Sequence, residues 1–172
     1  MTSYLEKYPL SRLRRNRQSK WIRNLVSENK LTTDDLIWPI FLCEGENIKN
    51  EIQSMPGVYR YSIDRLSEVI DIASDNKINL IALFPNTPDE LKNENGSESL
   101  NEKNLVCRAL DKIKNQDLSF GVMCDVALDP YTSHGHDGLL NNKYEILNDE
   151  TNQVLVQQSL LLAKHKADII AP

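Results

Sequence analysis

The residues with the clearest chemical potential lie between Phe120 and Gly138, where an apolar segment leads into a polar loop. Asp125 ends the apolar segment, as expected of a buried strand that delivers an acid to a site at its carboxyl end. Asp129 and Asp137 follow eight residues apart with a turn between them, so both could face one pocket. We predict Asp125 as the catalytic residue and place Asp129 and Asp137 in the substrate pocket. The alternatives are that Asp125 braces the loop and that the other two are ordinary loop acids.

The loop also contains two histidines, and the chain contains three cysteines. His134 and His136 alternate and could point the same way as metal ligands, but hydrogen-bonded loop histidines fit the pattern too. We therefore assign no metal ligand. Cys43, Cys107 and Cys124 are unclustered, which indicates neither a disulfide framework nor a zinc ribbon. We expect a reducing compartment, the cytoplasm.

The lysines do not supply an obvious nucleophile. A lysine that forms Schiff bases must be desolvated and should lie on an apolar strand. Every lysine here falls in the basic N-terminal segment, in a polar loop or on the polar side of a predicted helix. No glycine-rich phosphate-binding loop is present, which argues against a nucleotide enzyme.

The apolar pattern predicts strands that alternate with helices. The predicted strands are Leu36–Leu42, Leu80–Phe84, Phe120–Cys124 and Ala167–Ala171. One predicted helix follows an N-cap at Ser62, a second spans residues 106–113, and a third follows an N-cap at Asp149. Residues 44–60 suggest a small hairpin. Repeated βα units build a parallel sheet, either a small doubly wound sheet or part of a barrel. We favour an α/β fold, the N-terminal half of a (β/α)8 TIM barrel over residues 31–172 that stops after its fourth strand. A complete barrel takes about 250 residues.

Residues 1–30 differ in charge from the rest of the chain. They carry eight basic and two acidic residues, a charge of +6, so the remainder carries −11 within an overall −5. We interpret them as an extended N-terminal arm with a short helix over Gln18–Asn29. The arm could dock on an acidic neighbouring subunit, bind nucleic acid or be a solvated surface.

Size and composition indicate a globular protein. The chain has 172 residues, of which 40% are hydrophobic and 26% charged. No apolar run approaches the roughly 20 residues that a membrane span needs. The first residues lack the apolar centre of a signal peptide.

The polar stretch Asp125-Val-Ala-Leu-Asp-Pro-Tyr-Thr-Ser-His-Gly-His-Asp-Gly138 resembles the metal-loop signature of the delta-aminolevulinic acid dehydratase, or porphobilinogen synthase, family. Further matching segments follow in the family's order. They are Arg12–Arg15, Met55–Arg60, Ala82–Pro85, Gly96–Glu98, Ile146–Thr151 and Ala171–Pro172. The resemblance implies a (β/α)8 barrel with an arm that embraces a neighbour in a homo-octamer, which leaves nucleic-acid binding unexpected. It also implies condensation of two 5-aminolevulinate molecules to porphobilinogen with loss of two waters, in tetrapyrrole and haem synthesis.

The same resemblance places the family's two Schiff-base lysines on strands beyond Pro172. The 172-residue chain alone is therefore expected to be inactive, and the alternative is a truncated fragment that acts at most as a subunit-binding piece. Zinc-dependent members carry three cysteines where this sequence has Ala127, Asp129 and Asp137. Carboxylates suit harder ions than zinc does, so we expect no zinc, and magnesium or a monovalent cation, if any ion, in the full-length enzyme.

Overall fold

The computed structural model describes residues 7–10 and 12–172. By its internal contacts the chain forms two compact units, residues 1–32 and residues 33–172. In the first unit a single 3₁₀ turn at Arg15–Arg17 precedes helix α1, Lys20–Leu25. The guanidinium of Arg23 donates a hydrogen bond to the carbonyl of Arg17 at 2.9 Å. Helix α1 is shorter than the predicted Gln18–Asn29, and the predicted arm residues 1–6 and 11 lie outside the described residues.

The second unit is built on one six-stranded sheet. Its strands are β1 (Ile37–Cys43), β2 (Lys49–Glu51), β3 (Tyr59–Tyr61), β4 (Leu80–Asn86), β5 (Gly121–Asp125) and β6 (Ile169–Ala171). Their order in the sheet is β2-β3-β1-β4-β5-β6, and all neighbours are parallel except β2 and β3. The four predicted βα strands are therefore β1, β4, β5 and β6, and the predicted hairpin is β2–β3.

Three helices connect the parallel strands. They are α2 (Leu66–Asp75), α3 (Leu105–Lys114) and α4 (Asn148–Lys164). The core lies between these helices and one face of the sheet. Alternate residues of a strand point to opposite faces, so every second strand residue enters this core. Ile40, Leu42, Ile81, Leu83, Val122 and Cys124 belong to this core. The intervening residues, which include Phe41, Phe84 and Asp125, face the other side of the sheet.

Two predicted helix caps are wrong. Ser62 precedes a 3₁₀ turn, Ile63–Arg65, and its hydroxyl accepts a hydrogen bond from the amide of Ile48 at 2.9 Å instead of capping α2. Asp149 lies inside the first turn of α4 and does not cap it. Serine and aspartate are both good N-cap residues by type. The contact of Ser62 with the hairpin, and the loop that leads into α4 for Asp149, determine instead where each helix begins.

No helix within the described residues is both long and apolar enough to cross a membrane.

Candidate active site

Asp125 lies at the carboxyl end of β5, on the face of the sheet that the helices do not cover. Its register partner on β6 is Ala171. The neighbouring Cys124 is fully buried in the core, so the alternation along β5 turns Asp125 to the opposite face. The strand thus brings one carboxyl group to the edge of the sheet where β1, β4 and β5 all end.

The loop after β5 is fixed by buried side chains. Val126, Leu128 and Tyr131 are buried, and the amides of Tyr131 and Thr132 both donate to the carbonyl of Leu128 at 2.9 Å. The buried Gln158 of α4 donates to the carbonyl of Ala127 at 3.3 Å. These anchors hold Asp129 beside the end of β5.

The three carboxyl groups affect one another. Burial, followed by the negative charge of Asp137, raises the pKa of Asp125 above its ordinary value. Burial also raises the pKa of Asp129, where the charge of Asp137, a hydrogen bond with its side chain and the charge of Asp125 act in the same direction. A raised carboxyl pKa favours the protonated form, so the cluster can hold and release a proton closer to neutral pH than free aspartates can.

Asp125 and Asp129 line a common cavity of about 350 Å³. The cavity lies across the carboxyl ends of the parallel strands. Its lining consists of Phe41, Arg60, Phe84, Pro85, Asn86, Thr87, Lys92, Asp125, Asp129 and Pro130. The structure thus brings together two of the three predicted acids. Asp137 is close enough to act on both of them, but it is not part of this lining.

Four polar residues of the cavity were not predicted from the sequence: Arg60, Asn86, Thr87 and Lys92. Arg60 lies between the core residue Tyr61 and Tyr59, and the alternation along β3 is the sequence signal that could have identified it. Lys92 follows a 3₁₀ turn, and no periodic pattern indicates its direction. The long loop after β4 reaches the loop after β5: the amide of Asn93 donates to the carbonyl of Tyr131, and the carbonyl of Asn93 accepts from the amide of Ser133.

The two loop histidines are held by backbone hydrogen bonds. The Nδ1 atoms of His134 and His136 accept from the amides of His136 and Gly138, each at 3.1 Å. The Nε2 atom of His134 lies 3.3 Å from the carbonyl of Glu94. These hydrogen bonds hold both rings against the backbone of the loop and so shape it.

The described residues contain no cluster of metal-binding side chains. Within residues 7–10 and 12–172, no three histidine, cysteine, aspartate or glutamate side chains lie close enough together to hold a metal ion. Cys43, Cys107 and Cys124 are buried in separate elements. No chemical step below is derived through a metal.

The fold and the cavity define a protein of the parallel α/β class with a candidate site at the carboxyl ends of its strands. The profile of the family "Delta-aminolevulinic acid dehydratase" matches residues 10–172. The chain belongs to this family.

Individual relatives agree with the family assignment. The chain is 54% identical to the delta-aminolevulinic acid dehydratase of Bradyrhizobium diazoefficiens, over 94% of this chain and 45% of that protein. It is 45% identical to the Chlamydia pneumoniae protein, over 94% of this chain and 48% of that one. The chain thus spans about half the length of the curated relatives it matches.

A solved structure gives the same result for the fold. The delta-aminolevulinic acid dehydratase of Toxoplasma gondii, crystallised with its reaction product porphobilinogen, superposes with a TM-score of 0.86 at 38% identity. The match covers 93% of this chain and 46% of that chain. The predicted N-terminal half of a (β/α)8 barrel is confirmed.

Proposed function

We propose that this chain supplies the Asp125 side of the active site of a porphobilinogen synthase, which condenses two molecules of 5-aminolevulinate to porphobilinogen and releases two waters. The family match carries this proposal, because it runs through the whole stretch that holds Asp125, Asp129 and Asp137. The strand-end cavity supports it with carboxyl groups of raised pKa.

The acids have a defined task in such a condensation. Carbon–carbon and carbon–nitrogen bonds form at ketone carbons, and each lost water takes its oxygen from a ketone. Both steps require protons to be delivered to oxygen and removed from carbon or nitrogen. We assign this proton transfer and the orientation of a substrate amine to Asp125 and assign Asp129 and Asp137 to the pocket, where their charges tune Asp125.

The test uses the full-length protein that contains this chain. It should convert 5-aminolevulinate to porphobilinogen, and Asp125→Ala should lower kcat by about two orders of magnitude or more while the circular dichroism spectrum is unchanged. Near-normal turnover of the folded Asp125→Ala variant would remove Asp125 from catalysis. Absence of porphobilinogen from the wild-type reaction would contradict the function itself.

We further propose that the enzyme needs no zinc and that magnesium or a monovalent cation, if any ion, supports it. Carboxylates at positions 129 and 137 favour hard cations over zinc. Dialysis against a zinc-selective chelator should leave turnover unchanged. Loss of activity that zinc alone restores would contradict this proposal.

The homo-oligomer, an octamer in the cytoplasm, is a proposal as well. It is supported by the first unit, where Leu13, Trp21 and Leu25 are exposed on a strongly basic segment. Exposed apolar side chains of this size indicate a surface that another chain covers. Light scattering should give a smaller assembly when residues 1–30 are deleted from the full-length protein.

The second candidate function is that of a subunit-binding piece without catalysis. It is favoured by the exposed apolar side chains Leu13, Trp21 and Leu25 of the first unit, which suit contact with another chain. Porphobilinogen formation by the 172-residue chain alone would exclude it.

A further inference from the structure

Asp137 acts on the other two acids although it lies outside the cavity lining. It is an exposed residue of the loop after β5. Burial is the largest cause of the raised pKa of Asp125 and of Asp129, and the charge of Asp137 is the second cause for both. An exposed carboxylate that is free to turn into water has its charge screened from its neighbours. The backbone must therefore hold Asp137 close to the cavity.

Thr132 fixes the backbone just before Asp137. It is 1% exposed, and its Oγ1 donates a hydrogen bond to the carbonyl of His136 at 2.9 Å. The amide of Gly135 donates to the carbonyl of Thr132 at 3.3 Å. Thr132 thus closes the turn 132–136 with both its main chain and its side chain. Loss of the partner of a buried polar group is costly, so this hydroxyl constrains the turn.

Thr151 fixes the backbone just after Asp137. It lies near the start of α4 and is 7% exposed. Its Oγ1 accepts a hydrogen bond from the amide of Leu139 at 3.0 Å and donates one to the carbonyl of Leu147 at 2.7 Å. The hydroxyl of Thr151 therefore ties the loop to the start of the helix.

Gly138 brings the same part of the loop into close contact with α4. A Cβ atom at this position would lie 3.0 Å from Cγ2 of Ile146 and 3.3 Å from Oγ1 of Thr151. Both distances are shorter than ordinary van der Waals contacts, so a larger residue would force its neighbours to move. The residue that follows Asp137 is thus held by packing as well.

The two threonines bracket Asp137 from different elements. Thr132 binds His136, the residue before the acid, and Thr151 binds Leu139, two residues after it. Neither threonine lines the cavity. Each can therefore influence chemistry in the cavity only through the acid that the two of them hold.

We propose that Thr132 and Thr151 are positioning residues that hold the carboxyl group of Asp137 beside the two cavity acids, Asp125 and Asp129. This inference rests on the proposed function, and it adds two residues that touch no reacting atom. The spacing of the three acids then depends on two buried hydroxyl groups.

Removal of each hydroxyl tests the two anchors in the full-length protein. Thr132→Val exchanges the hydroxyl for a methyl group. It should lower kcat for porphobilinogen formation about tenfold and change KM for 5-aminolevulinate by less than about twofold, with an unchanged circular dichroism spectrum. Thr132→Ser keeps the hydroxyl and should restore kcat to within about twofold of the wild type. Thr151→Val and Thr151→Ser should repeat this pattern at the other anchor.

A double-mutant cycle separates positioning from a general structural role. In the Asp137→Asn background, Thr132→Val should change kcat by less than about twofold, because the carboxylate that it positions is already gone. A residue that only stabilises the fold would lower kcat by the same factor in both backgrounds.

Hydrogen exchange gives a readout that does not depend on turnover. Without substrate, Thr132→Val should speed the exchange of amides 133–139 about tenfold and leave the exchange of β5 unchanged. The control is Ser99→Ala, which removes a buried hydroxyl that has no hydrogen-bond partner among the described residues. It should leave both exchange and kcat unchanged.

The outcomes distinguish this inference from the proposed function. Wild-type kcat in both valine variants, an equal loss of kcat in the two backgrounds, or unchanged exchange of amides 133–139 overturns the inference while the wild-type protein still forms porphobilinogen. If Thr132→Val does not fold, Thr151→Val and its cycle with Asp137→Asn decide. Failure of the wild-type protein to form porphobilinogen rejects the proposed function instead, and hydrogen exchange still shows whether the threonines hold the loop.

Discussion

Asp129 has surroundings that disfavour a negative charge. Burial is the largest cause of its raised pKa, and both neighbouring carboxyl groups add to it. Such a group reduces the stability of the folded protein when it is ionised. A folded state that keeps this cost is consistent with a site shaped for proton transfer rather than for stability.

The free-energy cost of ionising Asp129 should appear in the pH dependence of unfolding. The folded state binds the proton of Asp129 more tightly than the unfolded chain does, so stability is lost as pH rises from the ordinary value of 3.8 through the raised pKa. Asp129→Asn removes the charge, and we expect its urea midpoint to exceed that of the wild type at pH 7. The difference should shrink below about pH 4.

The control for this prediction is Asp117→Asn, which removes an exposed carboxyl group outside the cluster. It should leave the urea midpoint nearly unchanged at both pH values. A midpoint for Asp129→Asn that is lower than the wild type at pH 7 would show that the carboxylate stabilises the fold, contrary to the repulsion inferred here.

The thiols allow a second test at the scale of residues. Burial raises the pKa of Cys107 and of Cys124 to about 12, and it also raises that of Cys43. Because the thiolate is the reactive form, iodoacetamide at pH 8 should modify the native chain slowly and the urea-unfolded chain quickly. Mass spectrometry counts the modified sites. Rapid modification of Cys107 or Cys124 in the native chain would contradict their burial in the core.

The candidate site could be predicted only in part from the sequence. Asp125 follows a run of strand-forming residues, so its place at a strand end was readable, and Asp129 was close enough in sequence to share its pocket. Arg60 and Lys92 lie 65 and 33 residues before Asp125. The alternation along β3 indicates the face on which Arg60 lies, but it does not encode the register that places β3 beside β1. No local pattern encodes the backbone contact between Asn93 and Tyr131 that holds the loop of Lys92.

At the scale of elements, the apolar runs located the four strands β1, β4, β5 and β6 to within about two residues, which is the usual uncertainty of element ends. Strand β4 continues through Pro85 to Asn86, beyond the predicted end at Phe84. The helix caps were harder, because Ser62 and Asp149 were judged by residue type alone. Asn104 is the residue that does cap a helix: its side chain accepts from the amide of Cys107 at 2.8 Å.

We therefore expect Asn104→Ala to destabilise the second unit. The side chain is buried, and its Nδ2 also donates to the carbonyls of Glu98 and Ser99, at 3.3 and 3.4 Å. Loss of the cap and of these bonds should lower the free energy of unfolding by about 1–3 kcal/mol, measured by urea titration.

The matched control is Asn115→Ala, an exposed asparagine just after the other end of α3. It should change the free energy of unfolding by less than about 0.5 kcal/mol. If the two variants were equally stable, the cap of α3 would not contribute to the fold.

At the scale of the whole molecule, the face of the sheet that holds the candidate site carries acids and cations, and the lysines of the described residues lie away from its barrel strands. Among the described barrel strands β1, β4, β5 and β6, none contains a lysine. Lys92 lines the cavity from a loop and is paired with Asp89. A chain that spans about half the length of its relatives can thus supply proton-transfer groups while the amine comes from elsewhere.

This separation of the acidic groups from the reacting amine predicts where a Schiff base forms. Incubation with 5-aminolevulinate and sodium borohydride reduces any imine to a stable amine, so a covalent adduct marks the lysine that reacted. We expect the full-length protein to gain such an adduct outside residues 1–172 and the isolated 172-residue chain to gain none, because its barrel strands carry no lysine and Lys92 lies on a loop, paired with Asp89. Peptide mapping by mass spectrometry locates the adduct. The full-length Lys92→Arg variant should keep it, and an adduct on Lys92 in either protein would contradict this division between acids and amine.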